Sequence, residues 1–386
     1  MDFDDAPADA EFRAEFRDFL QRNHPGELPD DPEEAFEIRR RWQRTLAEHG
    51  WAAPGWPREW GGRDASISQL VIYQEEMALA RAPVIVNAIG VWNIGPTILE
   101  HGTDDQKERF LREMLHAEQI WCQGFSEPEA GSDLASLQTR AIREGDAYIV
   151  NGQKVWTSYA HRADRCFLLC RTDPESVKHR GLSVLAVDMH ADGVECRPIR
   201  EISGDANFDE VFLTDVRVPV TDRVGDEHDG WRVAMSTLTH ERVGTVTYGI
   251  QLRQKLESLM RRREAWPDAE VERRLLDQEL AELWTRVEII RLTALRAVTK
   301  AARGQQPWPE VPIGKLLWST VSQDLPEAAL HALGPDGLRL RDDPLAPDAG
   351  RWAQDELYSR MTTIGAGTTE IQKNVLAERA LGLPRG

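Results

Sequence analysis

Three short segments carry side chains whose types and spacing could bind a polar ligand or move a proton. Gly124-Phe125-Ser126-Glu127-Pro128-Glu129-Ala130-Gly131-Ser132-Asp133 is a turn built on proline and glycine, and its hydroxyls and main-chain amides could line such a ligand. Read alone, most segments of this kind are only loops. Asn151-Gly152-Gln153-Lys154-Val155-Trp156-Thr157-Ser158 puts a tryptophan just beyond a strand, where a core role is the ordinary one. Leu238-Thr239-His240-Glu241-Arg242-Val243 sets a carboxylate on an amphipathic helix. Most helical glutamates are solvated, and a solvated one often has a cation three or four residues away. Glu241 shares its face with Thr237, Leu238, Gly244, Thr245 and Tyr248 and with no lysine or arginine. A carboxylate there, if kept dry, has its pKa raised above about 4.3 and can act as a general base. Arg242 lies about 100° round the helix, placed to orient a site rather than to pair with Glu241 directly.

The periodicity that must position these segments changes twice. Residues 1–118 read as helical: Trp42 and Leu46 share a face of a segment that stops at Gly50, and Leu70 to Leu79 and Asp104 to Leu115 repeat the pattern. Ala53-Pro54-Gly55-Trp56-Pro57 and Gly61-Gly62 between them are loop chemistry. Residues 119–228 read as β, with Ala147-Tyr148-Ile149-Val150 before an expected Asn151-Gly152 turn, then Cys166 to Cys170, Leu182 to Val187 and Val211 to Pro219. Residues 229–386 return to helix in runs starting near Trp231, Glu270, Pro312 and Gly350, and Arg261-Arg262-Arg263-Glu264-Ala265-Trp266-Pro267 is expected to break two of them. The order predicts an α+β multidomain protein, a β domain between two helical ones.

A chain of 386 residues has room for two or three domains and a large core. A net charge of −18 argues against non-specific binding to nucleic acid or anionic lipid, which need clustered positive charge. No run approaches the roughly 18 apolar residues of a membrane helix, and Met1-Asp2-Phe3-Asp4-Asp5 lacks the basic and apolar regions of a signal peptide, so the expectation is a cytoplasmic protein without a membrane. Cys122, Cys166, Cys170 and Cys196 form no Cys-x-x-Cys pair, which speaks against a metal site or a disulfide framework.

Taken in order along the chain, the segments resemble the acyl-CoA dehydrogenase family. The segment 124–133 is similar to the family's Thr-Glu-Pro-x-Ala-Gly-Ser-Asp signature, with Ser126 in place of threonine. The resemblance implies that Phe125, Ser126, Gly131 and Ser132 contact FAD and that Ser132 also meets the thioester end of the substrate. The segment 151–158 resembles Asn-Gly-x-Lys-x-Trp-Ile-Thr, implying that Trp156 packs on the isoalloxazine and that Thr157 and Ser158 bind the flavin, Ser158 near N5. Phe208-Asp209-Glu210-Val211-Phe212, Val216-Arg217-Val218-Pro219 and the closing Ala377 to Arg385 extend the likeness over nearly the whole chain. The fold it implies has an N-terminal helical domain, a middle β-barrel domain and a C-terminal four-helix bundle.

The reaction it implies removes a proton from Cα of an acyl-CoA while hydride leaves Cβ for the flavin, giving a trans-2-enoyl thioester. Many members carry the base in an Ile-Tyr-Glu-Gly-Thr run. Here Thr362-Thr363-Ile364-Gly365-Ala366-Gly367-Thr368-Thr369-Glu370 puts alanine at the base position. A main-chain amide survives that exchange, and in the family it helps bind the thioester carbonyl. Other members hold the base on the first helix of the C-terminal domain beside an arginine, the positions of Glu241 and Arg242. The resemblance therefore implies Glu241 as base, Arg242, Ala366 and Gly367 at the substrate, and Thr368, Thr369 and Glu370 at the cofactor. His240 and Glu127 read as structural.

Two family segments that complete a neighbour's flavin site, Arg-x-x-Phe-Gly and Gln-x-x-Gly-Gly, are replaced by Arg261-Arg262-Arg263-Glu264-Ala265-Trp266 and His331-Ala332-Leu333-Gly334-Pro335. The expected assemblies are a homotetramer with altered contacts or a heterotetramer with a second acyl-CoA dehydrogenase-like chain, as in enzymes that shorten sterol side chains. An electron-transfer flavoprotein is the expected electron acceptor. A carrier-protein thioester could replace acyl-CoA, and a flavin oxidase or monooxygenase, or a non-catalytic subunit, would use the same fold.

Overall fold

The computed structural model describes residues 5–241, 245–262, 270–305 and 309–384. They form two compact units, the first from residues 5–70, 79–201 and 205–241, the second from 71–78, 202–204 and the described residues beyond 244.

The first unit opens with α1 (Pro7–Asn23) and α2 (Pro32–Glu48). Each begins with proline in its first turn, where no N–H is needed, and the Asp31 carboxylate caps α2 by accepting the Glu34 N–H at 2.8 Å. Phe12 and Phe16 of α1 close on buried Trp51, with ring centres 5.1 and 4.5 Å away. Helix α3 (Ile67–Leu79) follows in the chain but belongs through residues 71–78 to the second unit, and the first unit resumes with α4 (Gly95–His101) and α5 (Asp104–Leu115). A capping box between Thr103 and Gln106 starts α5, and Gln106 Nε2 also donates to the carbonyls of Thr221 and Arg223, both at 2.8 Å.

Eight strands follow: β1 (Trp121–Gly124), β2 (Arg140–Glu144), β3 (Ala147–Ser158), β4 (Arg165–Arg171), β5 (Leu182–Asp188), β6 (Val194–Ile199), β7 (Phe208–Pro219) and β8 (Arg223–Val224). Their order is β6-β7-β3-β2-β4-β5-β8, with β1 parallel to β4 off that path. Val150, Val211, Val216, Leu185 and Val187 fill the core on one face. The expected Asn151-Gly152 turn does not form. β3 runs straight through it, and the hairpin turns instead at Gly145-Asp146, where Gly145 takes φ 64°. Two contacts explain the difference. The Asn151 carboxamide exchanges hydrogen bonds with Asp215, Nδ2 to Oδ1 and Oδ1 from the Asp215 N–H, both 2.9 Å. Gly152 lies where a Cβ would fall 2.4 Å from Thr139 Oγ1, so the glycine serves close approach at a register shift.

The unit closes with α6 (Gly230–Glu241), whose Val233, Ala234 and Thr237 are buried. In the second unit, α7 (Thr245–Met260), α8 (Glu270–Ala302), α9 (Glu310–Leu333) and α10 (Arg351–Ser359) share one core. Leu252, Leu256 and Leu259 of α7 meet Leu276, Leu280, Leu283 and Val287 of α8 and Val321, Leu325 and Ala328 of α9, the i, i+3, i+4 and i+7 spacing of packed helices. Val71, although in α3, packs on Ala294 of α8. Helix α11 (Thr369–Val375) completes the unit. Arg263 to Pro267 of the expected helix break lie outside the described residues. Among the described residues no helix is long and apolar enough to cross a membrane, and no cluster of His, Cys, Asp and Glu could hold a metal.

Candidate active site

The loop after β1 owes its shape to a buried ion pair. Glu127 turns back on Ala130 through paired main-chain bonds of 3.1 Å across Pro128-Glu129. Its carboxylate, 6% exposed, accepts from Lys154 Nζ at 2.8 Å, the Thr139 N–H at 2.9 Å and the Gln138 N–H at 2.6 Å. Lys154, fully buried on β3, also donates to the Phe125 carbonyl at 3.0 Å. Burial pushes the Glu127 carboxyl up, but the Lys154 charge and these hydrogen bonds outweigh it and hold its pKa below the ordinary value. The expected structural role of Glu127 is therefore specific: it fixes the segment that presents Ser126.

Strand β3 then does something unusual for a tryptophan. Its pairing with β7 shifts register between Lys154 and Thr157, and Trp156 sits in this irregularity at φ 59°, a left-handed conformation that costs a non-glycine residue on the order of 1–3 kcal/mol. The ring is 58% exposed and meets Phe208 edge-on at 6.1 Å. A bulge re-aims a side chain in this way. Trp156 and Ser158 line a cleft of about 210 Å³ with Ser126, Phe125, Val155, Gln123, Asn93 and Ile89. Thr157 does not line it: its side chain is buried and its Oγ1 has no hydrogen-bond partner among the described residues. Gly131 and Ser132 are exposed on the same loop, outside the cleft lining. Motif reading missed Gln123, Ile89 and Asn93, which belong to no signature and reach the cleft through topology alone.

In the second unit the segment at Ala366 is held by its main chain. Lys315 Nζ and Ser319 Oγ of α9 donate to the Thr362 carbonyl at 2.7 and 2.8 Å. Thr368 caps α11, accepting the Ile371 N–H at 3.2 Å, and Gln372 Nε2 donates to the Ala366 carbonyl at 3.1 Å. Ala366 takes φ 55° and Gly367 φ 87°. Both are exposed, as is Glu370, and Thr369 is half-buried. Among the described residues the Ala366 N–H has no acceptor. The segment His331 to Pro335 is the end of α9 and the turn after it, with Gly334 at φ 59°.

Helix α6 ends at Glu241, whose side chain lies outside the described residues, as does Arg242. Just before it, Thr237 Oγ1 donates to the Val233 carbonyl at 3.1 Å and lies 3.1 Å from Thr97 Oγ1. His240 faces Glu100 at 3.7 Å, and burial holds its pKa below the usual value despite that carboxylate.

The fold and the cleft together define a class. Family profiles described as the acyl-CoA dehydrogenase N-terminal, middle and C-terminal domains match residues 6–118, 122–216 and 228–381. The chain belongs to the acyl-CoA dehydrogenase family, oxidoreductases that act on CH–CH groups and are in general flavoproteins. It is 42% identical to the acyl-CoA dehydrogenase IpdE1 of Mycolicibacterium smegmatis, over 97% of this chain and 98% of that one. It is 41% identical to the acyl-CoA dehydrogenase FadE34 of Mycobacterium tuberculosis, over 89% of this chain and 46% of that protein. Among solved structures it is similar to the ChsE4-ChsE5 complex from Mycobacterium tuberculosis, with a TM-score of 0.87 and 32% identity, and to the Tcur3481-Tcur3483 steroid ACAD, with 0.86 and 30%, each over the full length of both chains.

The cleft residues fit a flavin ring. An exposed indole held at positive φ offers a flat apolar face, and among the described residues the side chains of Ser126, Ser158 and Gln123 on the same wall make no hydrogen bond within the protein. Polar groups spent on nothing internal, beside an aromatic plate, suit a planar heteroaromatic ligand.

Proposed function

We propose that this chain converts an acyl-CoA thioester to its trans-2-enoyl-CoA, with Glu241 taking the α-proton. FAD, when bound, supplies the acceptor for the hydride of the β-carbon. Phe125, Ser126, Trp156 and Ser158 hold its ring, Gly131, Ser132, Thr368, Thr369 and Glu370 make further contacts, and Thr157 contributes through its main chain. The observation that carries this reading is the cleft in which Trp156, strained and exposed, stands beside the unpaired hydroxyls of Ser126 and Ser158. The Ala366 N–H, without an acceptor among the described residues, supports its amide, with Gly367 beside it, as the donor to the thioester carbonyl as charge develops there. For Glu241 the support is the stripe it extends: by helical spacing it follows buried Ala234 and Thr237 rather than the exposed side of α6. Arg242 orients the substrate end of the site.

A partner chain completes the flavin site, either a second copy or a distinct acyl-CoA dehydrogenase-like chain. The replaced segments at 261–266 and 331–335 support this, as does the likeness to the ChsE4-ChsE5 complex and to the Tcur3481-Tcur3483 steroid ACAD. Co-expression and mass measurement separate the two, because a stable, fully flavinated homotetramer would sink the two-chain assembly. An electron-transfer flavoprotein takes the electrons onward.

Anaerobic titration of the flavoprotein with short, long, branched and steroidal acyl-CoAs tests the reading, the last class because the chain is similar to a steroid ACAD of known structure. At least one substrate should bleach the flavin. Glu241→Gln should retain flavin while bleaching slows by about 10²- to 10⁴-fold, the usual contribution of a positioned base. Absence of reduction by every acyl-CoA would point to a non-catalytic subunit, and rapid reoxidation in air to an oxidase.

A further inference from the structure

We infer that Asn93 is a specificity-determining residue and that the substrate is an acyl thioester bearing a hydrogen-bonding oxygen, a ketone or hydroxyl, on its acyl body. The inference rests on the proposed dehydrogenation. Asn93 lies in a π-helical turn, Gly90–Ile94, inserted ahead of α4. Such turns are rare and displace one residue from the regular helical path, and they recur at functional sites.

This turn is fixed on every side. A Cβ on Gly90 would meet Asn87 Oδ1 at 2.4 Å, and one on Gly95 would meet the Trp56 ring at 2.1 Å, so both contacts require glycine. Trp56 Nε1 donates to the Val91 carbonyl at 3.2 Å, and Thr97 Oγ1 donates to the Asn93 carbonyl at 2.8 Å. Buried Asn87 ties the turn to the β layer. Its Nδ2 donates to the carbonyls of Met114 and Gln119 at 3.0 and 2.8 Å, and its Oδ1 accepts the N–H of Trp121, the first residue of β1, at 2.9 Å. The helical wall of the cleft, Ile89 and Asn93, is thereby held at a set distance from the wall made by Gln123, Phe125, Ser126, Val155, Trp156 and Ser158.

In this clamp the Asn93 carboxamide is the exception. It faces the cleft, is half-buried, and has no hydrogen-bond partner among the described residues. The residues assigned to the flavin ring, Phe125, Ser126, Trp156 and Ser158, all lie on the β wall, so what the helical wall touches is the group lying over the ring, the acyl chain. An alkyl chain against Asn93 would strip water from a donor and an acceptor and return nothing. An oxygen-bearing chain would satisfy one of them.

The test uses the flavin-loaded enzyme and two acyl-CoAs of the same carbon skeleton, one carrying a ketone or hydroxyl on the acyl body and one without. Wild type should favour the oxygenated member in kcat/KM by roughly 10- to 100-fold. In Asn93→Leu, of similar size, that preference should collapse to within about threefold, with flavin content unchanged. Calorimetric Kd values for the two enoyl products should converge in the same way, and Asn93→Thr, which keeps a smaller donor, should fall between. A preference unaltered in Asn93→Leu overturns the inference, and so does loss of flavin from that variant, which would make Asn93 a cofactor contact. If wild type is reduced by neither member nor by any other acyl-CoA, it is the dehydrogenase reading itself that has failed.

Discussion

Two buried lysines each pin a loop, one in each unit, and they do it by different means. In the first unit Lys154 has a counter-ion, Glu127, and the pair sets the course of the segment that carries Ser126. In the second unit Lys315 donates to the Thr362 carbonyl, with the Trp318 ring 5.8 Å from its ammonium, and has no carboxylate partner among the described residues. Burial alone holds its pKa below the usual value. The consequence is that the first loop depends on the identity of its side chains, whereas the second depends on peptide carbonyls that any sequence supplies. That difference leaves the side chain at position 366 without a part in holding its loop. The fixed elements there are the Thr362 carbonyl, the Thr368 cap and the Ala366 carbonyl, none of which requires a particular side chain at 366.

The sharpest way to break the comparison is to remove each lysine. Lys154→Met leaves the Glu127 carboxylate buried without its cation, which should cost about 3–5 kcal/mol and release flavin, read as a lower urea midpoint and a lower flavin-to-protein ratio. Lys154→Met with Glu127→Gln should recover part of the loss, because no lone charge remains. Lys315→Met removes a charged donor, worth roughly 1.5–3 kcal/mol, but also relieves an unpaired buried ammonium. Its net cost should therefore be smaller, and the damage should appear in kcat more than in flavin content. Equal losses from the two variants would contradict the distinction.

The same asymmetry has a pH signature. The folded-state pKa of Glu127 lies below its ordinary value of 4.5. Its contribution to stability is thus complete above about 4.5 and is lost as pH falls through the lower folded value. Urea midpoints followed below pH 4.5 should fall more steeply for wild type than for Glu127→Gln. Lys315 behaves oppositely. Its folded pKa lies below 10.5, so between the two values the unfolded chain binds more protons and stability rises with pH, a rise that Lys315→Met should abolish.

How much was legible in the sequence follows from the same division. Helix α5 and the strands around Leu182 and Val211 were readable because their apolar periodicity is the burial pattern itself. The turn after β1 was readable as structural at Glu127 because Glu127 holds it through its side chain. The Asn151-Gly152 turn failed for a reason local propensity cannot register: β7 and Thr139 close on β3 from the two sides and hold it extended. Asn93 and Asn87 were invisible for the same kind of reason. Each is an unremarkable amide until topology sets one against β1 and the other over the cleft.

The smallest effect belongs to Ala366→Gly. At φ 55° alanine pays a modest steric cost that glycine escapes, while glycine loses more chain entropy on folding, so the two effects nearly cancel at about 1 kcal/mol each. The amide, its φ and the Gln372 hydrogen bond to the carbonyl are all retained. If position 366 serves through its N–H alone, kcat/KM should stay within about threefold of wild type. Ala366→Pro keeps the loop's carbonyls but removes the N–H and forbids the positive φ, and it should abolish turnover while the flavin stays bound in the first unit. A large loss in the glycine variant would mean that the methyl group itself shapes the substrate pocket, and the contrast between side-chain and main-chain control would no longer hold at the residue that most suggests it.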